Sequence, residues 1–250
     1  MQNKNKTVVK SMDLLNLFLH RSRLSLNEMV ELSGMPKTSV HRMLGSLEDM
    51  GFLQKNEEGQ YSLGLLFLQF GQLVSDRLDI RQLALPIMER LRDDIGEAVN
   101  LTIRDGMDAI YVEKIDTMHP VRLYTKTGRR APLYAGACNR IILAFLPAEE
   151  QERYLQEVTL SPIASGTFTD KEKLREVLAE SRKNGYTVSI SELENDTYSI
   201  AAPIFDHTGK IASGISIAGP TIRLKEDDLP SLIQKIVRAA EEISKKLGYH

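Results

Sequence analysis

The sequence predicts an α+β chain in three parts: a winged helix-turn-helix over residues 1–64, a linker helix over 65–78, and a larger domain over 79–250 built on one antiparallel sheet. Three observations predict it. Ser25 to Met50 reads as two helices joined by a tight turn and followed at once by a short hairpin. Leu63 to Leu78 is apolar in nearly every helical direction. Beyond it, strand hairpins alternate with amphipathic helices, the pattern of helices packed on an antiparallel sheet.

In chain order, Thr7 or Ser11 opens a first helix carrying Val8, Met12, Leu14, Leu15, Leu17, Phe18 and Leu19. Lys10 lies where it could reach phosphates, whereas Lys4 and Lys6 read as a solvated arm. Ser25 is a good N-cap for the next helix, because its hydroxyl accepts a free backbone N–H. Leu26, Met29, Val30 and Leu32 supply its apolar stripe, and Gly34 supplies the left-handed conformation that ends many helices. Pro36 then sits near the start of a further helix, where its missing N–H costs nothing.

In that helix Val40, Met43, Leu44, Leu47 and Met50 fall on one face. Thr38, Arg42, Gly45 and Asp49 fall opposite, with His41 and Ser46 beside them. The outward N-terminal half, Lys37, Thr38, Ser39, His41 and Arg42, is polar and basic. Such a face suits a helix laid in a DNA major groove, with its N-terminus at phosphates. Gly45 leaves room for a close approach. Gly51 to Lys55 and Gln60 to Leu63 read as strands around the turn Asn56-Glu57-Glu58-Gly59, which makes a wing with Lys55 placed for a phosphate. A helix pair alone is common. Pair, polar face and wing together point to double-stranded DNA.

Leu65, Leu66, Phe67, Leu68, Phe70, Leu73, Val74 and Leu78 leave the linker helix without a polar side. A helix apolar all round must be covered on all sides, and self-association would cover it while placing two recognition helices on two half-sites.

From Asp79 to Ile95 the pattern is an amphipathic helix containing Pro86, closed by Gly96. Strands are expected at 98–104, 109–115 and 121–126, and helices at 137–145, 148–158 and 170–184. Further strands fall at 186–191, 199–205 and 211–217, and a closing helix at 226–247.

Composition sets limits. At 250 residues, 42% hydrophobic and 26% charged, the chain fits two modest soluble domains. No apolar run would span a bilayer, and the first residues lack the apolar core of a signal peptide, so no membrane is expected and the cytoplasm is the default location. Residues 1–55 hold eight Lys and Arg against five Asp and Glu, an excess of +3 on a chain of net charge −2. A basic head on an acidic body favours phosphate at one end. The single cysteine excludes an internal disulfide framework and a cysteine zinc site. The five histidines show no metal spacing, and no Gly-rich phosphate loop, nucleophile elbow or dinucleotide fingerprint occurs. No cofactor or metal is therefore expected, and no enzyme. Cys138 at a helix start is the one candidate thiol, but a buried structural role is the commoner fate.

A binding site is easier to argue. Gly128-Arg129-Arg130-Ala131-Pro132 leads to Ala135-Gly136-Ala137-Cys138-Asn139, and small residues at a helix start expose N–H groups suited to a carboxylate. Ser189, Ser199 and Ser216 lie on three separate strands and could converge on a pocket for a small acid or polar metabolite. They could equally be small strand residues with local hydrogen bonds, and spacing alone favours the latter.

The whole chain resembles the IclR family of bacterial transcriptional regulators. The resemblance runs from the winged helix through GRRAPLYAGACNRIILAF and KNGYTVSISELE to IAAPIFDHTGKIASGISIAGP, the last being the most specific. It implies an N-terminal winged helix, a linker helix and a C-terminal effector domain of GAF-like fold. It also implies assembly as dimers or dimers of dimers on operator DNA. The effector pocket it implies is formed at Ala137, Cys138, Ser189, Ser199, Ser216 and Ala218. The family often has an acidic residue where Ser189 stands, a cysteine where Ser199 stands and a serine where Ala218 stands, so a different effector is implied. The expected function is sequence-specific DNA binding, most often repression, controlled by a small molecule. The alternatives are a metabolite-binding module acting through protein contacts, or an enzyme using Cys138.

Overall fold

The computed structural model of the chain describes residues 5–76 and 79–250, without the side chains of 74–79. Lys4, Leu78 and the Val74 side chain lie outside the described residues. The chain separates into two compact units, Met1–Arg77 and Leu78–His250, and its mixed helix and strand content is α+β.

In the first unit α1 (Lys6–Asn16) is capped by Asn5, whose side chain accepts the Thr7 and Val8 N–H groups. The helix therefore starts one residue before Thr7 and well before Ser11. Leu14, Leu15 and Phe18 enter the core, while Val8, Met12 and Leu19 stay exposed. β1 (Leu24–Ser25) leads into α2 (Leu26–Ser33). Ser25 caps α2 as expected, and the cap is reciprocal: Glu28 N–H donates to Ser25 Oγ (3.4 Å) and Ser25 N–H to Glu28 Oε2 (2.8 Å). Gly34, left-handed, closes α2 with its N–H on Val30 O.

α3 (Lys37–Asp49) begins directly after Pro36. Val40, Leu44 and Leu47 are buried against Met29, Leu24, Leu53 and Tyr61. Met50 lies past the helix end and is exposed, so it does not join that face. β2 (Leu53–Lys55) and β3 (Gln60–Leu63) form the wing, with Lys55 opposite Tyr61. Asn56 ties the turn by accepting the Gln60 N–H at 2.8 Å. β1 adds a third strand through Leu24 opposite Tyr61, which the hairpin pattern did not predict. α4 (Leu66–Asp76) sends Phe67 against this core, edge-to-face on Phe52 at 5.6 Å. Leu68, Phe70 and Leu73 on α4 and Leu65 before it are exposed, so the first unit's core covers only the Phe67 side of the described part of the helix.

The second unit is a six-stranded antiparallel sheet in the order β6-β5-β4-β9-β8-β7. The strands are β4 (Ala98–Asp105), β5 (Asp108–Ile115), β6 (Arg130–Pro132), β7 (Thr187–Ile190), β8 (Thr197–Phe205) and β9 (Ile211–Pro220). One face packs on α5 (Asp79–Ile95), which continues through Pro86, and on α9 (Leu229–Lys246). Met88, Leu101, Ile200, Ile217, Ile236 and Ile243 meet there. α6 (Ala137–Phe145), α7 (Ala148–Glu157) and α8 (Lys171–Asn184) pack together on the opposite side around Leu133, Ile141, Leu143, Tyr154, Leu174 and Leu178. Fully burying such a side chain contributes about 1.5–3 kcal/mol, so each face is anchored by several strong contributions. α6 lies close on β9. A Cβ on Gly214 would sit 2.2 Å from Cys138 O, so only glycine permits that approach.

One expected strand is absent. Val121 to Lys126 is irregular, and the place beside β5 is taken by β6, with Ala109 opposite Ala131. Cationic side chains satisfy the carbonyls of this strap instead of a ladder. Arg223 donates to Val121 O (2.9 Å), Lys114 to Leu123 O (3.1 Å) and Arg129 to Tyr124 O (3.0 Å). A bulge makes this possible. Leu101 faces Glu113 and Thr102 faces Tyr111, which leaves Val112 as the extra residue. The strand's phase shifts there, and Tyr111 and Lys114 both come to the side of Asn100 and Thr102.

Candidate functional site

The outward face of α3 is the first candidate. Lys37, Thr38, His41 and Arg42 are exposed, and Ser39 is half-buried. Among the described residues, none of the side chains of Lys37, Thr38, His41 or Arg42 is engaged in an ion pair or side-chain hydrogen bond. Pro36 supplies no side-chain cap to α3, and its carbonyl accepts the Ser39 and Val40 N–H groups, so the two N–H groups before them face outward unmet. Gly45 has open space where a Cβ would stand. Lys55 is exposed at the wing, its ammonium 5.3 Å from the Tyr61 ring centre, while Glu57 and Glu58 occupy the exposed wing tip. A polar, cationic helix start beside a wing can sit at the edge of a polyanion; the acidic tip cannot.

The second candidate is a small, partly open cavity of about 30 Å³ under the strap, lined in part by Asn100, Tyr111, Cys138, Ser189, Ser199, Ser216 and Ala218. Register explains the convergence. Ser189 lies opposite Ser199 and Ser199 opposite Ala218. Asn100 lies opposite Ser216, one step along. Opposed residues share a face of the sheet, so three strands deliver the predicted serines to one wall. The start of α6 closes that wall, with the Ala137 N–H donating to Ser199 Oγ at 3.3 Å. Leu123 and Thr125 of the strap, with Arg129 just beyond it, form the roof, and Leu193 and Glu194 the rim. Arg129 and Glu194 are paired across that rim at 2.6 Å.

Two of the N–H groups expected to be free at the start of α6, those of Gly136 and Ala137, are taken. Glu192 Oε2 accepts the Gly136 N–H at 2.8 Å, and Glu192 Oε1 pairs with Arg140. Arg140 is itself held by Thr187 Oγ1 (3.0 Å) and Val188 O (2.5 Å). The local-bond reading of the serines fails for Ser189, whose hydroxyl makes no hydrogen bond among the described residues. The Ser216 hydroxyl lies beside Cys138.

Cys138 is wholly inside. Thr102 Oγ1 lies 3.2 Å from its sulfur, and the thiol donates to Gly214 O at 3.2 Å. Burial pushes the thiol up from 9.0 to about 11, with bonds from Ser216 and Thr102 opposing. It is a neutral packing group at physiological pH, not an activated nucleophile. Burial likewise pushes the Tyr198 phenol up to about 12, with Glu97 adding, and holds that of Tyr111 well above the tyrosine range. The phenols are therefore neutral. Among the described residues, no group of three or more His, Cys, Asp or Glu could hold a metal, and no helix is long and apolar enough to cross a membrane.

Sequence reasoning did not find Asn100, Tyr111, Glu192 or Arg140. Asn100 left one signal, a lone amide within the apolar run Ala98 to Ile103 on the same side as Thr102. Glu192 left none, because its loop has no periodicity.

Residues 7–57 match the family description "IclR helix-turn-helix domain", and residues 72–245 match "Bacterial transcriptional regulator IclR C-terminal". The chain is 62% identical to the HTH-type transcriptional regulator KipR of Bacillus subtilis (strain 168) over the full length of both. It is 31% identical to the HTH-type transcriptional regulator KdgR of Escherichia coli (strain K12), covering 98% of this chain and 93% of that one. Among solved structures, it is similar to the Thermotoga maritima IclR, with a TM-score of 0.80, 30% identity, and 97% and 99% of the two chains covered.

Proposed function

The chain belongs to the IclR family of bacterial transcriptional regulators, and on that premise we propose that it is a sequence-specific DNA-binding repressor released or tightened by a small-molecule effector. Lys37, Thr38, Ser39, His41 and Arg42 face the operator, and Lys55 meets a phosphate beside it. The cavity lined by Cys138, Ser189, Ser199 and Ser216, with Ala137 behind it holding Ser199 through its N–H, receives the effector, a small polar metabolite or acid. The protein works in the cytoplasm as a homodimer or a dimer of dimers, and the exposed Leu68, Phe70 and Leu73 of α4 fit a partner copy. It is not an enzyme. An effector shifts operator affinity only as far as it binds one state better than the other.

The observation that carries this reading is the set of unengaged polar side chains on the outer face of α3. The test is binding to the DNA upstream of its own gene, against random DNA, across a salt series. Tighter binding to the upstream DNA with a steep salt slope is expected, since each neutralised phosphate releases counterions. Equal, weak binding to both would leave the cavity as the sole functional site.

A further inference from the structure

We propose that Asn100 is the residue by which the cavity selects its ligand, and that the ligand presents an amide or hydroxyl there rather than a carboxylate. The inference rests on the effector reading above and deepens it.

Asn100 stands in the middle of β4, 3% exposed, and lines the cavity. Its backbone is committed to the sheet, opposite Lys114 on β5 and Ser216 on β9, and its carbonyl oxygen lies 3.7 Å from Cys138 Sγ. Its side chain is committed to nothing. Among the described residues no hydrogen bond engages the amide, and Oδ1 is buried without a partner. An unmet buried acceptor costs stability. Its neighbours on the same face of β4 do not answer it, since Ala98 has no polar side chain and Thr102 Oγ1 donates to Cys138 O at 3.1 Å. Asn139 on α6 differs: its Oδ1 is also unmet, but its Nδ2 donates to Ala135 O at 2.9 Å and braces the first turn. An asparagine amide offers an acceptor and two donors side by side. A ligand that brings an N–H or O–H satisfies Oδ1, and its own acceptor can take Nδ2.

The charges around the cavity favour such a ligand over a carboxylate. Arg129 is answered by Glu194, and Glu192 by Arg140. The Gly136 and Ala137 N–H groups, which a carboxylate would seek at the start of α6, are held by Glu192 and Ser199. A carboxylate meets no unpaired cation among these groups, whereas an amide or hydroxyl meets the unengaged Asn100 amide and the unengaged Ser189 hydroxyl.

The test compares thermal unfolding of the full chain as wild type, Asn100→Leu and Ala218→Val, each alone and with lactamide or lactate at equal high concentration. Without ligand, Asn100→Leu is expected to raise Tm by roughly 2–4 °C, because it removes an unmet acceptor without shortening the side chain. A fall in Tm would make Asn100 a structural residue and overturn the proposal. With ligand, lactamide is expected to raise the wild-type Tm more than lactate does, and the difference is expected to vanish in Asn100→Leu. A larger shift with lactate, no shift with either, or a lactamide shift that persists in Asn100→Leu overturns the ligand class. Ala218→Val fills the same cavity without touching Asn100. If the lactamide shift survives Ala218→Val, the probe binds elsewhere, and it is the effector reading of the cavity that fails.

Discussion

Glu192 and Arg140 form an ion pair sealed from water, their side chains 3% and 0% exposed. The same carboxylate accepts the Gly136 N–H at the start of α6, so one residue both neutralises a buried guanidinium and caps a helix that walls the cavity. Removing one partner strands the other. Glu192→Ala is expected to cost about 3–5 kcal/mol, and Glu192→Leu combined with Arg140→Met to recover most of that loss. Urea unfolding of the single and double variants measures both; a double variant as unstable as the single one would show that the pair is not the source.

Gly45 separates the needs of the fold from those of DNA. It lies inside α3 with open space where a side chain would stand. A helix-interior glycine costs up to about 1 kcal/mol relative to alanine, and no packing contact requires it. Gly45→Ala is expected to raise Tm and weaken operator binding. A variant that gains stability and binds DNA as before would remove Gly45 from the interface.

Arg42 is exposed one turn into α3 with its guanidinium unengaged. If it reads a guanine edge, Arg42→Ala costs about 1–3 kcal/mol on operator DNA and relaxes specificity at one base position. Competition binding with single-base operator variants checks this. Equal loss on operator and random DNA assigns Arg42 to a phosphate.

Glu28 gives the winged helix a pH response. The Ser25 backbone N–H, then its hydroxyl, hold the Glu28 carboxyl below its ordinary 4.5, with Arg21 a lesser cause. A carboxyl depressed in the folded state adds stability above its unfolded value and loses it as pH falls through the folded one. The Tm gap between wild type and Glu28→Gln should therefore be open at neutral pH and close as pH falls below 4.5. A gap independent of pH would show that the charge contributes nothing.

Cys138 should behave as a reporter of opening. Its thiol, pushed up to about 11, is neutral at pH 8 and surrounded by Thr102, Gly214 and Ser216. Iodoacetamide is expected to leave the native chain unmodified over hours and to label it stoichiometrically once unfolded. Prompt labelling of the native chain would return Cys138 to the list of reactive thiols.

The sequence carried the helices best. Ser25, Gly34, Pro36 and the stripe through Val40, Leu44 and Leu47 are local signals, and each is found where local chemistry puts it. The three serines were visible as candidates, but their meeting depends on register between β7, β8 and β9, which no single strand encodes. Asn100 was hidden because one amide in an apolar strand reads as noise until its neighbours are known. Val121 to Lys126, expected as a strand, is irregular because its carbonyls find other partners. Its carbonyls went to Arg223, Lys114 and Arg129, residues far away in sequence that no local pattern can supply.

The roof over the cavity has a kinetic consequence. A space of about 30 Å³ holds one or two water molecules, so an effector bound there, as proposed above, needs the cavity to widen. If widening lifts the strap, some of the bonds from Arg223, Lys114 and Arg129 break first. Apparent affinity is then diluted by the small fraction of molecules standing open. The observed rate of binding should climb with ligand concentration and level off at the rate of unfastening, so the speed of the response belongs to the protein and not to the abundance of its signal.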